Sequence, residues 1–289
     1  MDNLERRALL GVAGVAGIGA LAAMAKAGPL NPPAGAVAPS GRTLDEVYNK
    51  IPTIGAADGR IPIPGGSSAV TLSASGSYVL TGNIVVNSGA AIIISADHVT
   101  LDLNGYRLQC TNPGPPGTLT VSTDRTDITI RNGIIVGGGS GLDVRNDCLG
   151  ITITDLHILS TLQYGVLVNS SRSVAVRRCT FTAIGAAATS GVSNITAILF
   201  NNSPQPAATD NHINRHNYSG GGSPVYRGIY ATSSTFVHFA RNTVAATPGF
   251  SGTGIGTDFS GVIKDNCVLG YGTPFDYGSG VNGGGNVSQ

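Results

Sequence analysis

Between Ala90 and Leu269 one short phrase recurs: two or three alternating aliphatic residues, a polar break, a second alternating pair, then an Asn, Asp or Arg turn. It reads Ile92-Ile93-Ile94 with Val99-Thr100-Leu101-Asp102-Leu103, then Leu119-Thr120-Val121 with Ile128-Thr129-Ile130. It returns as Leu142-Asp143-Val144 with Ile151-Thr152-Ile153, and as Val166-Leu167-Val168 with Val174-Ala175-Val176. The steps from Ile128 to Ile151 and from Ile151 to Val174 are both 23 residues. Strands this short cannot bury a face alone. A fixed period built from them predicts a solenoid whose stacked coils make one core.

A third short stretch, such as Ile134-Ile135-Val136 after Asn132-Gly133, gives three strands per coil and hence a triangular parallel β-helix. The expected span is residues 53–270, in about eight coils, with like residues stacked ~4.8 Å apart. Asn104-Gly105, Asn132-Gly133, Asp155 and Asp265-Asn266 fall at comparable corners, where Asn, Asp and Gly tolerate a left-handed backbone. Gly at 42 of 289 residues and only 11% charged residues fit many turns and few solvated helical faces. A solenoid grows by adding coils, so this length suits one long domain.

Ahead of the coils, Arg6-Arg7, an Ala- and Gly-rich apolar stretch and Ala25-Lys26-Ala27 resemble a twin-arginine export signal, residues 1–27, cleaved before Gly28. The resemblance implies an exported protein, periplasmic, on the cell surface or secreted, and one that folds before export. An uncleaved anchor is the alternative, but the apolar run is shorter than the ~20 residues a spanning helix needs, so no stable membrane span is expected after processing. A Pro/Gly linker over 28–42 follows. Thr43-Leu44-Asp45-Glu46 then fits a capping box opening a helix over 43–52, which would lid the solenoid's open end. Residues 271–289 read as a Gly-rich tail.

Removing Asp2, Glu5, Arg6, Arg7 and Lys26 from 17 basic and 16 acidic residues leaves a near-neutral mature chain. Nucleic acid is therefore not an expected partner, since phosphate neutralisation needs a clustered basic face. A local Arg cluster can still meet an acidic polysaccharide or cell-envelope glycan. Glu46 is the only Glu left, so carboxylate chemistry falls to Asp. Cys110, Cys148, Cys179 and Cys267 form no CxxC pair, and no His stands at ligand spacing. Buried free thiols are expected, with no metal site and no cofactor.

Gly76-Ser77-Tyr78-Val79-Leu80-Thr81-Gly82-Asn83-Ile84, Val99-Thr100-Leu101-Asp102-Leu103-Asn104-Gly105 and Ile128-Thr129-Ile130-Arg131-Asn132-Gly133 carry a resemblance to the right-handed parallel β-helix proteins of the pectin-lyase-like superfamily. It covers roughly residues 70–270 and implies that fold. The superfamily holds lyases, hydrolases and epimerases of polysaccharides as well as non-enzymatic surface proteins, so the resemblance implies a glycan more than a reaction. The Asp-Asp and Gly-His-Gly motifs of polygalacturonases are missing, and Val262-Ile263-Lys264 only partly matches their Arg-Ile-Lys. With no Trp, the chain also lacks the Trp-Ile-Asp-His run of pectate lyases.

Two constellations remain as candidate sites. Asn132, Asp155 and Arg178 lie one period apart and should stack at one corner, with Arg131 and Arg177 beside them. An Asp between guanidiniums stays ionised, and an Arg column can grip uronate carboxylates; an exposed structural ion pair is the competing reading. Second, the period breaks between Ala183 and Arg227, around Asp210, His212, Arg215, His216 and Tyr218. Read as an insertion, this segment offers His212 or His216 as proton-transfer groups and could fold over the Arg178 corner, with Tyr218 or Tyr164 for stacking. A plain polar loop competes with that reading. The expected catalytic set is Asp155, Arg178, Asp210, His212 and His216, and the substrate-binding set is Arg131, Arg177, Arg215, Tyr218 and Tyr164. Three classes stay open: a polysaccharide lyase, hydrolase or epimerase; a non-catalytic glycan-binding or surface protein; and a structural module. A concave face with converging Asp, Arg or His separates the first from flat ladders.

Overall fold

The computed structural model describes residues 59–112, 114–186, 192–216 and 224–289, with the backbone alone for 215–216 and 247–250. These residues form a right-handed parallel β-helix, the parallel solenoid that the phrase predicts with the hand that the resemblance implies, and its 24 strands make one continuous sheet. The chain visits three faces in turn. Face A begins with Ile61–Ile63, Gly76–Leu80 and Val99–Asp102, and ends with Ala207–Thr209, Val237–Ala240, Gly261–Lys264 and Val281–Asn282. Face C includes Ile84–Val86, Arg107–Cys110, Thr180–Ile184, His212–His216 and Val287–Ser288. Face B includes Val70–Leu72, Ile92–Ile94, Ser140–Val144, Tyr164–Asn169, Asn194–Asn201 and Val225–Thr232. Some strands turn a corner without a break, so Thr126–Gly137 and Leu149–Leu159 each serve face A and then face C.

The register is the sequence period made spatial. Ile128 pairs with Ile151, and Ile153 with Val176. On face B the inward ladder Leu119–Leu142–Val166–Ile198–Ile229–Ile255 runs unbroken, every member fully buried. Each such side chain contributes roughly 1.5–3 kcal/mol on leaving water, set against the entropy of ordering the chain. Phe200 and Phe239 stack in the interior with ring centroids 5.8 Å apart. Cys110, Cys148 and Cys179 are buried free thiols, and Cys267 is a half-buried one.

Nine complete turns and two faces of a tenth are present among the described residues, rather than about eight. The difference lies in residues 271–289, which extend the solenoid instead of leaving it as a tail. Val281–Asn282 pairs with Gly261–Lys264, and Val287–Ser288 pairs with Cys267 and Val268. The glycines there serve corners, as at Gly284 (φ 85°) and Gly285 (φ 68°). Phe275 and Tyr277, stacked 6.1 Å apart, pack against the last exposed layer of core. The export signal, the linker and the helix around Leu44 to Ile51 lie outside the described residues.

The period changes where the sequence loses it. Equivalent corner residues are 23 apart at Asp155 and Arg178, then 32, 31, 24 and 20 apart along Cys179, Asn211, Asn242, Asn266 and Asn286. The added length falls after face C, between Thr180–Ile184 and Asn194–Asn201 and again between His212–His216 and Val225–Thr232. Asp210 to His216 is therefore no insertion. Asp210 is a regular corner, and His212–His216 is a regular rung of face C paired with Thr180–Ile184 and with Thr243–Ala245.

Candidate functional site

The corner from face A to face C is a column of left-handed residues: Asn104, Asn132, Asp155, Arg178, Asp210, Arg241 and Asp265, with φ between 48° and 60°. Asn and Asp adopt that backbone readily, whereas Arg does not. The two arginines are held there by their neighbours. Arg178 donates from Nε and Nη2 to the two oxygens of Asp155, both at 2.8 Å, and also to Thr154 Oγ1 at 2.9 Å. Arg241 grips Asp210 in the same fork, at 2.7 and 2.8 Å. Arg178 beside Asp155 and Arg241 beside Asp210 hold both carboxyls below the ordinary value of 3.8. The charges alternate up the corner, Asp155, Arg178, Asp210, Arg241, Asp265, so every described cation of the column sits between anions. Deep in the same corner Asn211, Asn242 and Asn266 form a buried ladder, each donating through Nδ2 to the Oδ1 of the next.

The other expected site residues do not converge on this corner. Arg131 bonds Asp102 at 3.2 Å, a nearly buried carboxylate that also accepts from Arg60, Asn104 and Asn132. Tyr164 stands on face B, paired with Ser140 and Thr196, and cannot stack beside Arg178. His212 points outward from face C, whereas Asn211 and Ile213 point inward. The side chains of Arg215 and His216, and all of Tyr218, lie outside the described residues. The described part of this corner is an exposed edge of alternating charges, and the loop expected to fold over Arg178 lies outside the described residues. Two concavities lie elsewhere. One of about 380 Å³ is lined by Asp147, Leu149, Arg172 and Pro204, and one of about 450 Å³ by Arg107, Ile134, His157 and Leu159.

Among the described residues, Arg177 is the expected guanidinium that the fold leaves available. It is exposed on face A, and its side chain has no ion-pair or hydrogen-bond partner among the described residues. The outward position it occupies becomes Thr209, Ala240 and Lys264 on the next three turns, and Lys264 is likewise without a carboxylate partner there. His238 stands alongside, in the outward column Ala175–Ala207–His238–Val262. Partial burial, then Lys264, Arg241 and Arg177, pull its pKa below the ordinary 6.5. Between these cations the side chains are small and covered, with Ala240, Thr209 and Ala175 buried and Ala207 half-buried.

The right-handed beta helix region matches this chain over residues 68–244. The chain belongs to that family. No curated protein and no solved structure matches it. In this β-helix, then, the family establishes the scaffold, and any site has to be read from side chains. The corner ion pairs of the β-helix have a measurable signature. A carboxyl with a depressed folded pKa adds stability that is fully present above its unfolded value and is lost as pH falls through the folded one. Arg178→Ala is accordingly expected to melt slightly below the wild type at pH 7 and together with it at pH 2, because the pair is exposed and solvent-screened. A large pH-independent loss in thermal melts would show that Arg178 supports the fold by packing instead.

Proposed function

We propose that this chain is an exported β-helix protein that binds an acidic polysaccharide along face A, without cleaving it at the Asp155–Arg178 corner. The observation carrying this reading is the pair of cations without a carboxylate partner among the described residues, Arg177 and Lys264, three rungs apart in one column of face A. Three rungs span ~14 Å, room for a short run of sugar units whose carboxylates can meet guanidinium and ammonium in turn. The corner argues for binding over turnover, since Asp155 and Asp210 are each clamped by a guanidinium below the range useful for proton transfer at neutral pH.

His238 adds a pH dependence with a definite sign. Partial burial, and after it the neighbouring cations, lower its pKa, so it becomes a third cation only in acid and affinity for a polyanion should rise as pH falls through that lowered pKa. The test is a titration of uronate and sulfated polysaccharides against the wild type and the Arg177→Ala, Lys264→Ala double variant. Expected are salt-sensitive binding by the wild type, at least about tenfold weaker binding by the variant, and an acid-side gain that His238→Gln abolishes. Absence of binding to every polyanion would overturn the reading.

A hydrolytic reading has one observation in its favour. Tyr230 Oη lies 2.6 Å from Asp258 Oδ1 and 3.4 Å from Asp276 Oδ2, which brings two carboxylates near one point on face B. New reducing ends that appear with the wild type and vanish in Asp276→Asn would favour it.

A further inference from the structure

We propose that the corner where face B turns into face A carries a second binding site, for a neutral sugar, built from Phe236, Phe259 and the carboxylate of Asp258. Phe236 is 70% exposed and has φ of 56°, the left-handed region that bulky side chains avoid. On the preceding turns the equivalent position holds His98, Asp127, Gly150, Ser173 and Gln205, all at positive φ and all polar or glycine. The turn itself therefore asks for a small or polar residue. Phenylalanine here is unfavourable twice, through its backbone and through its wetted ring, and strain of this kind marks a role outside the fold. On the next turn the register puts Ser260 at this position, its hydroxyl accepting from the Phe236 N–H at 3.4 Å, and Phe259, one residue earlier, is 45% exposed.

Around the two rings the groups are those that hydroxyls require. Asp258 precedes Phe259, and its carboxylate is held in place by Tyr230 at 2.6 Å and Thr232 at 2.7 Å. Burial and the neighbouring Asp258 push the Tyr230 phenol well up, so it stays a donor. Ser233 and Ser260 are exposed beside them. A pyranose offers an apolar face of C–H groups to an aromatic ring and vicinal hydroxyls to a fixed carboxylate. Two exposed rings on adjacent turns offer aromatic contacts to neighbouring sugar units. The carboxylate favours a neutral sugar over a uronate and disfavours an anionic bilayer, into which an ionised Asp beside the rings would not insert. The inference rests on the glycan-binding reading only in taking a glycan as the ligand.

The experiment titrates neutral gluco-, galacto- and manno-oligosaccharides, and separately anionic vesicles, against the full chain. The variants are Phe236→Asn, Asp258→Asn, and the Arg177→Ala, Lys264→Ala pair. Expected is salt-insensitive binding of a neutral oligosaccharide, weakened about tenfold or more by Phe236→Asn and by Asp258→Asn but unchanged in the face A pair. Phe236→Asn should melt no lower than the wild type, because Asn suits the left-handed corner; lost binding with undiminished stability separates a ligand contact from a structural one. Binding equal to wild type in Phe236→Asn, or no neutral oligosaccharide bound at all, would overturn the proposal, and polyanion binding would still report on face A by itself. Vesicle binding that Phe236→Asn removes, with no sugar bound, would overturn it in favour of a membrane.

Discussion

Asn242→Ala is expected to cost about 3–5 kcal/mol of folding stability, because it removes the middle of a fully buried polar ladder. Asn242 is 1% exposed. Its Oδ1 accepts from both the backbone N–H and the Nδ2 of Asn211, at 3.0 and 2.9 Å. Its Nδ2 donates to the Ala208 carbonyl and to Asn266 Oδ1, both at 2.9 Å. Truncation leaves the Asn211 backbone N–H and one Nδ2 hydrogen of Asn211 without their acceptor, and takes a donor from Asn266 Oδ1 and from the Ala208 carbonyl, with no room for bulk water. The same change at Asn286, where the ladder reaches the half-exposed last turn, should cost only about 1 kcal/mol, since water can take its place there. Each turn is stabilised mainly by its neighbours, so the break at Asn242 should also uncouple the C-terminal turns and lower the slope of a urea melt. Equal effects at the two positions would show that the ladder is not what ties the turns together.

Gly228→Ala is the second large effect, about 3 kcal/mol, and it is steric rather than conformational. Inward glycines recur on face B at Gly141, Gly165, Gly228 and Gly254, and each faces a larger side chain on face C of the following turn: Ile158, Phe181, Val244 and Val268 respectively. An added methyl at Gly228 would overlap both Val244 and the backbone oxygen of Gly254. The side chain could repack, but the carbonyl belongs to the sheet ladder and cannot yield without breaking pairing. Gly66→Ala, with nothing within 4 Å of the new carbon, serves as the control and should leave denaturant midpoints unchanged. A tolerated Gly228→Ala would mean that the turns can shift apart to admit a methyl.

The local chemistry of each rung was readable from the chain. Period-two alternation at Ile128, Ile151 and Val174 gave the coil, and the Asn and Asp corners were recognisable because a left-handed residue is a local requirement. Asp155 and Arg178 could be paired with a 23-residue ruler because that coil has the regular length. Beyond Cys179 the same ruler failed. Added loop residues cost little closure entropy and leave the rungs intact, so the coil length changed while the stacking did not. With a 23-residue ruler, therefore, His212–His216 reads as an insertion, and neither the Asp210–Arg241 pair nor the asparagine ladder is legible.

Residue types and turn positions are properties of a few neighbouring residues, and they are written along the chain. Which rung lies on which is a property of loop lengths summed over the coil, and only the stacked structure carries that sum. It brings Arg177 and Lys264 onto one strip and neutralises Arg178 between Asp155 and Asp210. It also places Phe236, at a left-handed corner, one turn from Ser260, with its ring on the wet side of an alternation that runs on through the buried Val237, the exposed His238 and the buried Phe239.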